Sequence, residues 1–108
     1  MNFTPANYYS VGSVFTLPTY TFSDNSHNCT LDVSLYLPNN QGIAIEHSQM
    51  VDGEIYKENY LDLDHYSEQL VQSENTVKLY MAGKYTLRYL AVDAYGNVTI
   101  KEFVLEVR

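Results

Sequence analysis

Tryptophan is absent from this chain, cysteine occurs once, and cations are scarce: six Lys and Arg stand against thirteen Asp and Glu, for a net charge of −7. Each shortage excludes something. The lone Cys29 rules out an internal disulfide. Without a basic surface to neutralise phosphates, neither nucleic acid nor an anionic lipid surface is an expected partner. One Cys and the dispersed His27, His47 and His65 do not supply the converging set that zinc requires. No apolar run reaches the roughly 18 residues that would cross a bilayer as a helix, so membrane insertion is not expected. Met1-Asn2-Phe3-Thr4-Pro5 carries neither the basic stretch nor the apolar core of a secretory signal. There is no phosphate-cradling glycine loop and no nucleophile-elbow pattern. An enzyme is not expected, and no cofactor is implied.

What is present is tyrosine, 11 residues among 108, and a two-residue periodicity. Cys29, Leu31, Val33, Leu35 and Leu37 alternate with Thr30, Asp32, Ser34 and Tyr36. That is a half-buried strand, stopped by Pro38-Asn39-Asn40-Gln41-Gly42. Gly83 to Asp93 repeats the pattern, with Tyr85, Leu87, Tyr89 and Ala91 on one face. The Leu31, Val33, Leu35 row and the Tyr85, Leu87, Tyr89 row are expected to face each other from two layered sheets. Cys29, in the apolar phase, reads as an inert core thiol. A final strand from about Val98 to Val107 changes phase at Lys101-Glu102, which predicts a β-bulge there. Val14–Leu17 and Tyr20–Phe22 read as strand pieces interrupted by Pro18. Val77-Leu79-Met81, Ile43-Ala44-Ile45 and Glu54-Ile55-Tyr56 read as short strands, the last two flanking an Asp52-Gly53 hairpin turn. Tyr60–Val71 reads equally as a helical turn or a strand. The whole predicts one all-β domain over 1–108, an immunoglobulin-like sandwich of about seven antiparallel strands. Its termini would lie at opposite poles if the strand count is odd.

Local chemistry assigns roles to particular residues. Gly83 permits a positive φ in the turn entering the penultimate strand. Tyr85 fits the tyrosine-corner role, and Tyr89 shares its inner face. Gly96-Asn97 suits a tight hairpin that needs left-handed backbone. Asp24 and Asn25, brought to the same pole as Asp93 and Asn97, are the oxygen ligands available for calcium. The same residue types also serve ordinary turn chemistry. Strand alternation would put Asp62 and Asp64 on one side and His65 on the other, and His27 and His47 stand isolated. Tyr36, Tyr56, Tyr60, Tyr66 and Tyr95, with Tyr8 and Tyr9, are the aromatics available to stack on a glycan. Residues 46–74 hold eight of the thirteen carboxylates (Glu46, Asp52, Glu54, Glu58, Asp62, Asp64, Glu68 and Glu74) with only Lys57 against them. Such a field steers a basic partner or is simply a solvated face.

The segment Ala82-Gly83-Lys84-Tyr85-Thr86-Leu87-Arg88-Tyr89-Leu90-Ala91-Val92-Asp93-Ala94-Tyr95-Gly96-Asn97, followed by Phe103-Val104-Leu105-Glu106-Val107, resembles bacterial immunoglobulin-like surface repeats and is similar to hyalin-repeat and polycystic-kidney-disease type modules. Val14-Phe15-Thr16-Leu17-Pro18 and Ser23-Asp24-Asn25 resemble the opening of the same group. The resemblance covers about half the chain. It implies a non-catalytic structural or adhesive module, acting as a spacer or protein-contact domain on a bacterial surface or secreted protein. The alternatives it leaves are a glycan- or protein-binding module and a phage virion decoration. The expected partners are neighbouring domains or another protein, with glycan as the alternative.

Overall fold

A computed structural model describes residues 6–18, 28–52, 54–73 and 75–108. These residues form eight strands and contain no helix: β1 Val14–Thr16, β2 Asn28–Tyr36, β3 Gly42–Val51, β4 Glu54–Asn59, β5 Val71–Ser73, β6 Thr76–Lys78, β7 Gly83–Val92 and β8 Val98–Val107. They make a five-stranded sheet in the order β4-β3-β2-β7-β8 and a three-stranded sheet in the order β1-β6-β5. All strand pairs are antiparallel. The chain is an immunoglobulin-like β-sandwich. The extra β3–β4 hairpin widens its larger sheet, as in the variable-type arrangement.

The two apolar rows do not oppose each other. Val33 pairs with Tyr89 and Leu35 with Leu87, so β2 and β7 are neighbours in one sheet. Their rows stand side by side and face Phe15, Leu17, Val77 and Leu79 of the opposite layer, all buried in a single core. Alternation reveals which side chains share a face; it carries no information on which strands share a sheet. Leu105 and Val107 of β8 complete the inner surface, and Leu61 and Leu70 plug the loop side. Leu31, Leu35, Tyr85, Leu87 and Leu105 are almost wholly removed from water. Each contributes on the order of 2 kcal/mol of burial.

The β-bulge is also elsewhere. β7 and β8 pair without a break from Gly83↔Val107 to Val92↔Val98. Val98, Ile100 and Val104 therefore remain on the outer face, exposed. The register shift lies between β2 and β3, where Val33 faces Glu46 and Ser34 faces Ala44. Ile45 is the extra residue. Both Ile45 and Glu46 consequently turn inward, and past the bulge the inner phase of β3 runs through Ser48. This explains why β3 is longer than the Ile43–Ile45 piece expected from alternation. β4 likewise outlasts its Glu54–Tyr56 core, whereas β6 stops at Lys78, short of Leu79 and Met81.

Turns follow local chemistry. Val51 pairs with Glu54, leaving a two-residue hairpin loop that opens at Asp52 with φ 51°. Residues 60–70 form neither a helix nor a strand; they are a chain of turns between buried Leu61 and Leu70. At the other end, Tyr9 makes a parallel bridge to Val107, and the Arg108 N–H donates to the Tyr9 carbonyl at 2.8 Å. The described N-terminal segment thus runs beside the C-terminal strand, and with eight strands among the described residues the odd count that would set the termini at opposite poles is not met. The Tyr20–Phe22 strand piece lies outside the described residues.

Candidate functional site

The bulge in β3 helps to build a concavity between the two layers. Because Glu46 turns inward, its carboxylate enters the gap between the layers. The cavity, about 280 Å³ in volume, is walled by Leu17, Pro18, Leu31, Val33 and Ile45. Its polar groups come from Glu46, Lys57, Asn59, Asn75 and Tyr89. Lys57 and Asn59 reach it because β4 pairs in register with β3, Ser48 opposite Lys57 and Glu46 opposite Asn59. Glu46 accepts a hydrogen bond from the buried Ser48 hydroxyl at 3.2 Å and lies 3.8 Å from the Lys57 ammonium. Asn59 Oδ1 accepts the Leu61 N–H at 2.9 Å, so its amide nitrogen is the end left to face a ligand.

Tyr89 closes the back of this space. Its hydroxyl donates to the Pro18 carbonyl at 2.6 Å. Desolvation by burial, reinforced by the Glu46 charge, pushes the phenol well above its ordinary value. Burial also raises Tyr85. A group whose folded pKa exceeds its unfolded one binds more protons in the folded state. Its contribution is therefore full below the unfolded phenol value of about 10 and is lost as pH climbs through the higher folded value. Spectrophotometric titration is expected to show Tyr85 and Tyr89 silent in the folded protein until alkaline unfolding releases them together. A smooth titration of all tyrosines in the folded protein would contradict this placement.

The Tyr85 ring is fully buried and its oxygen accepts the Met81 N–H at 3.2 Å. Gly83 takes φ 129° and Gly96 φ 83°, as their turns require. Asn97 does not adopt left-handed backbone; its role is different. Asp93 Oδ1 accepts the Tyr95 and Asn97 N–H groups, and Oδ2 accepts the Asn97 side-chain amide, all at 2.9 Å. These bonds hold the Asp93 carboxyl below its ordinary value. Both carboxylate oxygens are thus engaged within their own turn. Asp24 and Asn25, the other half of the calcium set, lie outside the described residues, as do His27 and Glu74.

The histidines are better connected than expected. His47 is not isolated: its Nδ1 lies 2.6 Å from Asp32 Oδ1 across the β2–β3 pair on the outer face. His65 is not turned away from Asp62, because the segment is a turn. Asp62 Oδ1 accepts the Asp64 and His65 N–H groups at 3.1 and 3.0 Å and lies 2.7 Å from His65 Nδ1. The hydrogen bond to His65 is the main cause that lowers the Asp62 carboxyl. Cys29 is buried, and burial followed by the Asp93 charge raises its thiol, which suits an unreactive core residue.

No known family model, curated protein or solved structure matches this chain.

The tyrosines proposed for stacking do not form one platform. Tyr60 and Tyr66 flank the His65 ring at centroid distances of 5.5 and 6.3 Å. They cover the half of β3 that β4 leaves open: the Tyr66 hydroxyl donates to the Ala44 carbonyl at 2.7 Å. Tyr36 and Tyr56 lie on the outer face at opposite ends of the sheet, at the levels of Tyr36 and Thr30 along β2, about 20 Å apart. Tyr95 projects from the β7–β8 hairpin, 89% exposed. Tyr8 lies under the Arg108 guanidinium, and Tyr9 packs edge-on against Phe15.

Sequence reasoning missed the cavity group. Its only signal was the row Glu46, Ser48 in the phase opposite to Ile43, Ile45, which a bulge reconciles.

The outer face of the large sheet carries the other organised feature. Registers place Leu90, Val92, Val98, Ile100 and Val104 together on the β7–β8 side, with Tyr36 beside them on β2. Val98, Ile100, Val104 and Tyr36 are exposed. Of the charged residues on this face, Asp32 stands beside Leu90, Glu102 opposite Arg88 and Glu106 opposite Lys84, while Glu54 and Glu58 lie on β4 at the far edge of the sheet.

Proposed function

We propose that this chain is a non-catalytic immunoglobulin-like contact module of a larger bacterial surface or secreted protein, with a phage virion as the alternative setting. The observation that carries this reading is the exposed apolar row Tyr36, Val98, Ile100 and Val104 on the outer face of the large sheet. Contiguous exposed apolar surface rimmed by charge marks protein contact sites. Asp32, Glu102 and Glu106 beside the row, on a chain of net charge −7, favour a partner whose apolar patch is edged by Lys and Arg, steered by charge and held by burial. The remaining polar groups support a structural role. Asp93 closes its turn, Asp62 its loop, and Asp32 braces His47. The motif resemblance to bacterial surface repeats supports the setting.

A photo-crosslinking residue placed at Val98, Ile100 or Val104, in the producing organism, tests this. Leu63, exposed and apolar in the 60–70 turn segment outside the sheet, is the control position. The expected result is one partner peptide, apolar and Lys/Arg-flanked, captured from all three positions and not from Leu63. The Ile100→Lys variant is expected to abolish capture from Val98 while changing stability by less than about 0.5 kcal/mol. Equal capture from Leu63, or none from the face, would refute the reading.

A further inference from the structure

We infer that the cavity between the sheets is a binding site for a neutral pyranose sugar, taken as the terminal residue of a glycan. Nothing in the outer-face reading requires this site; it rests on a separate set of groups.

The argument starts with what the polar groups offer. Glu46 is an acceptor set back from solvent, its side chain 20% exposed, and Lys57 stands at the mouth, 58% exposed. The two charges compensate, so the site as a whole favours a neutral occupant over an ion. Beside them are two carboxamides. Asn59 has its oxygen committed to the Leu61 N–H, and Asn75 has its oxygen facing the Thr76 hydroxyl at 3.4 Å. Their nitrogens are left as donors. An acceptor carboxylate interleaved with amide and ammonium donors matches groups that donate and accept at once on adjacent atoms, which is what vicinal hydroxyls do.

The walls answer the rest of the ligand. Leu17, Pro18, Leu31, Val33 and Ile45 present aliphatic surface beside the polar groups, Val33 and Ile45 directly next to Glu46. A pyranose carries C–H groups on its faces and hydroxyls around its edge, so it meets both surfaces without leaving either uncompensated. A volume of about 280 Å³ suits one ring and little more, near the lower end of ligand pockets. A primary amine would satisfy Glu46 but would meet the Lys57 charge and leave the amide donors unused.

The test is a titration of the isotope-labelled chain, followed by amide shifts, with methyl glycosides of glucose, galactose, mannose and N-acetylglucosamine, and with the corresponding free sugars. At least one methyl glycoside is expected to bind with Kd on the order of 10 mM. Its shifts should be confined to the Asn59 and Asn75 side-chain amides and the backbone of Ile45, Glu46 and Tyr89. Lys57→Met, at a solvent-exposed side chain, and Glu46→Gln, which keeps an acceptor for Ser48, should each weaken binding roughly tenfold. Ile100→Lys on the outer face should leave it unchanged, which separates this site from the contact surface. Binding of free sugars without their glycosides would refute the glycan-terminus assignment. So would preferential binding of methylamine, absence of shifts at the cavity amides for every sugar, or shifts centred on Tyr36, Tyr56 or Tyr95.

Discussion

Replacing Tyr85 by alanine is expected to cost about 3–5 kcal/mol of folding stability and to lower the melting midpoint by on the order of 20 °C. Tyr85 sits where β7 enters the sandwich, fully buried, among Leu35, Leu87, Leu105 and the side chains of the opposite layer. Removing the ring opens a void that flanking strands, pinned by pairing on both sides through β2 and β8, cannot close. The hydroxyl is a second, separable contribution. It accepts the Met81 N–H at 3.2 Å, so Tyr85→Phe leaves that donor without its partner and is expected to cost about 1–2 kcal/mol. Urea denaturation of both variants orders the two effects. Equal losses would mean that the hydroxyl, not the ring, is what the site requires. A loss below that of an ordinary surface substitution for Tyr85→Ala would place the ring outside the core.

Much of this architecture is legible from alternation alone, and the reason is physical. β2, β7 and β8 are long, have one wet face and one dry, and so print their period of two in the sequence. The turn residues Gly83 and Gly96 are legible because only glycine adopts their backbone freely. What alternation does not encode is layer membership. Val33 and Tyr89 are paired neighbours, yet their pattern is the same as that of residues facing across a core. Nor does it survive a phase change. Ile45 and Glu46, both turned inward by the bulge, break the period that would have announced β3 as one strand, and with it the cavity. The change at Lys101-Glu102 misled in the opposite sense: Val98 and Ile100 are apolar because they lie on the outer face, not because the strand is bulged. Asp62 and His65 meet because their segment turns, and a short turn carries no periodicity to read. In two of these misses, at Glu46 and at Val98 and Ile100, a residue was polar inside or apolar outside, which is also where the two candidate surfaces of this molecule lie.

Gly83→Ala is the second substitution with a large expected effect, about 2–4 kcal/mol, from a single added methyl group. Two costs combine. The backbone has φ 129° there, a conformation that residues with a Cβ rarely adopt, and the new Cβ would stand 2.7 Å from Pro38 Cβ. Pro38 begins the β2–β3 turn, so the entry to β7 and the exit from β2 are packed backbone to ring at this point. The clash is relieved only if that turn retreats, which would strip the Leu37 N–H of its 2.8 Å bond to the Gln41 carbonyl. A double-mutant cycle with Pro38→Gly divides the cost. In that background the steric part disappears and the conformational part, about 1–3 kcal/mol, remains. An undiminished penalty would assign the whole effect to backbone strain. A harmless Gly83→Ala in the native background would show that this turn does not hold the positive φ on which the approach of β7 to the core depends.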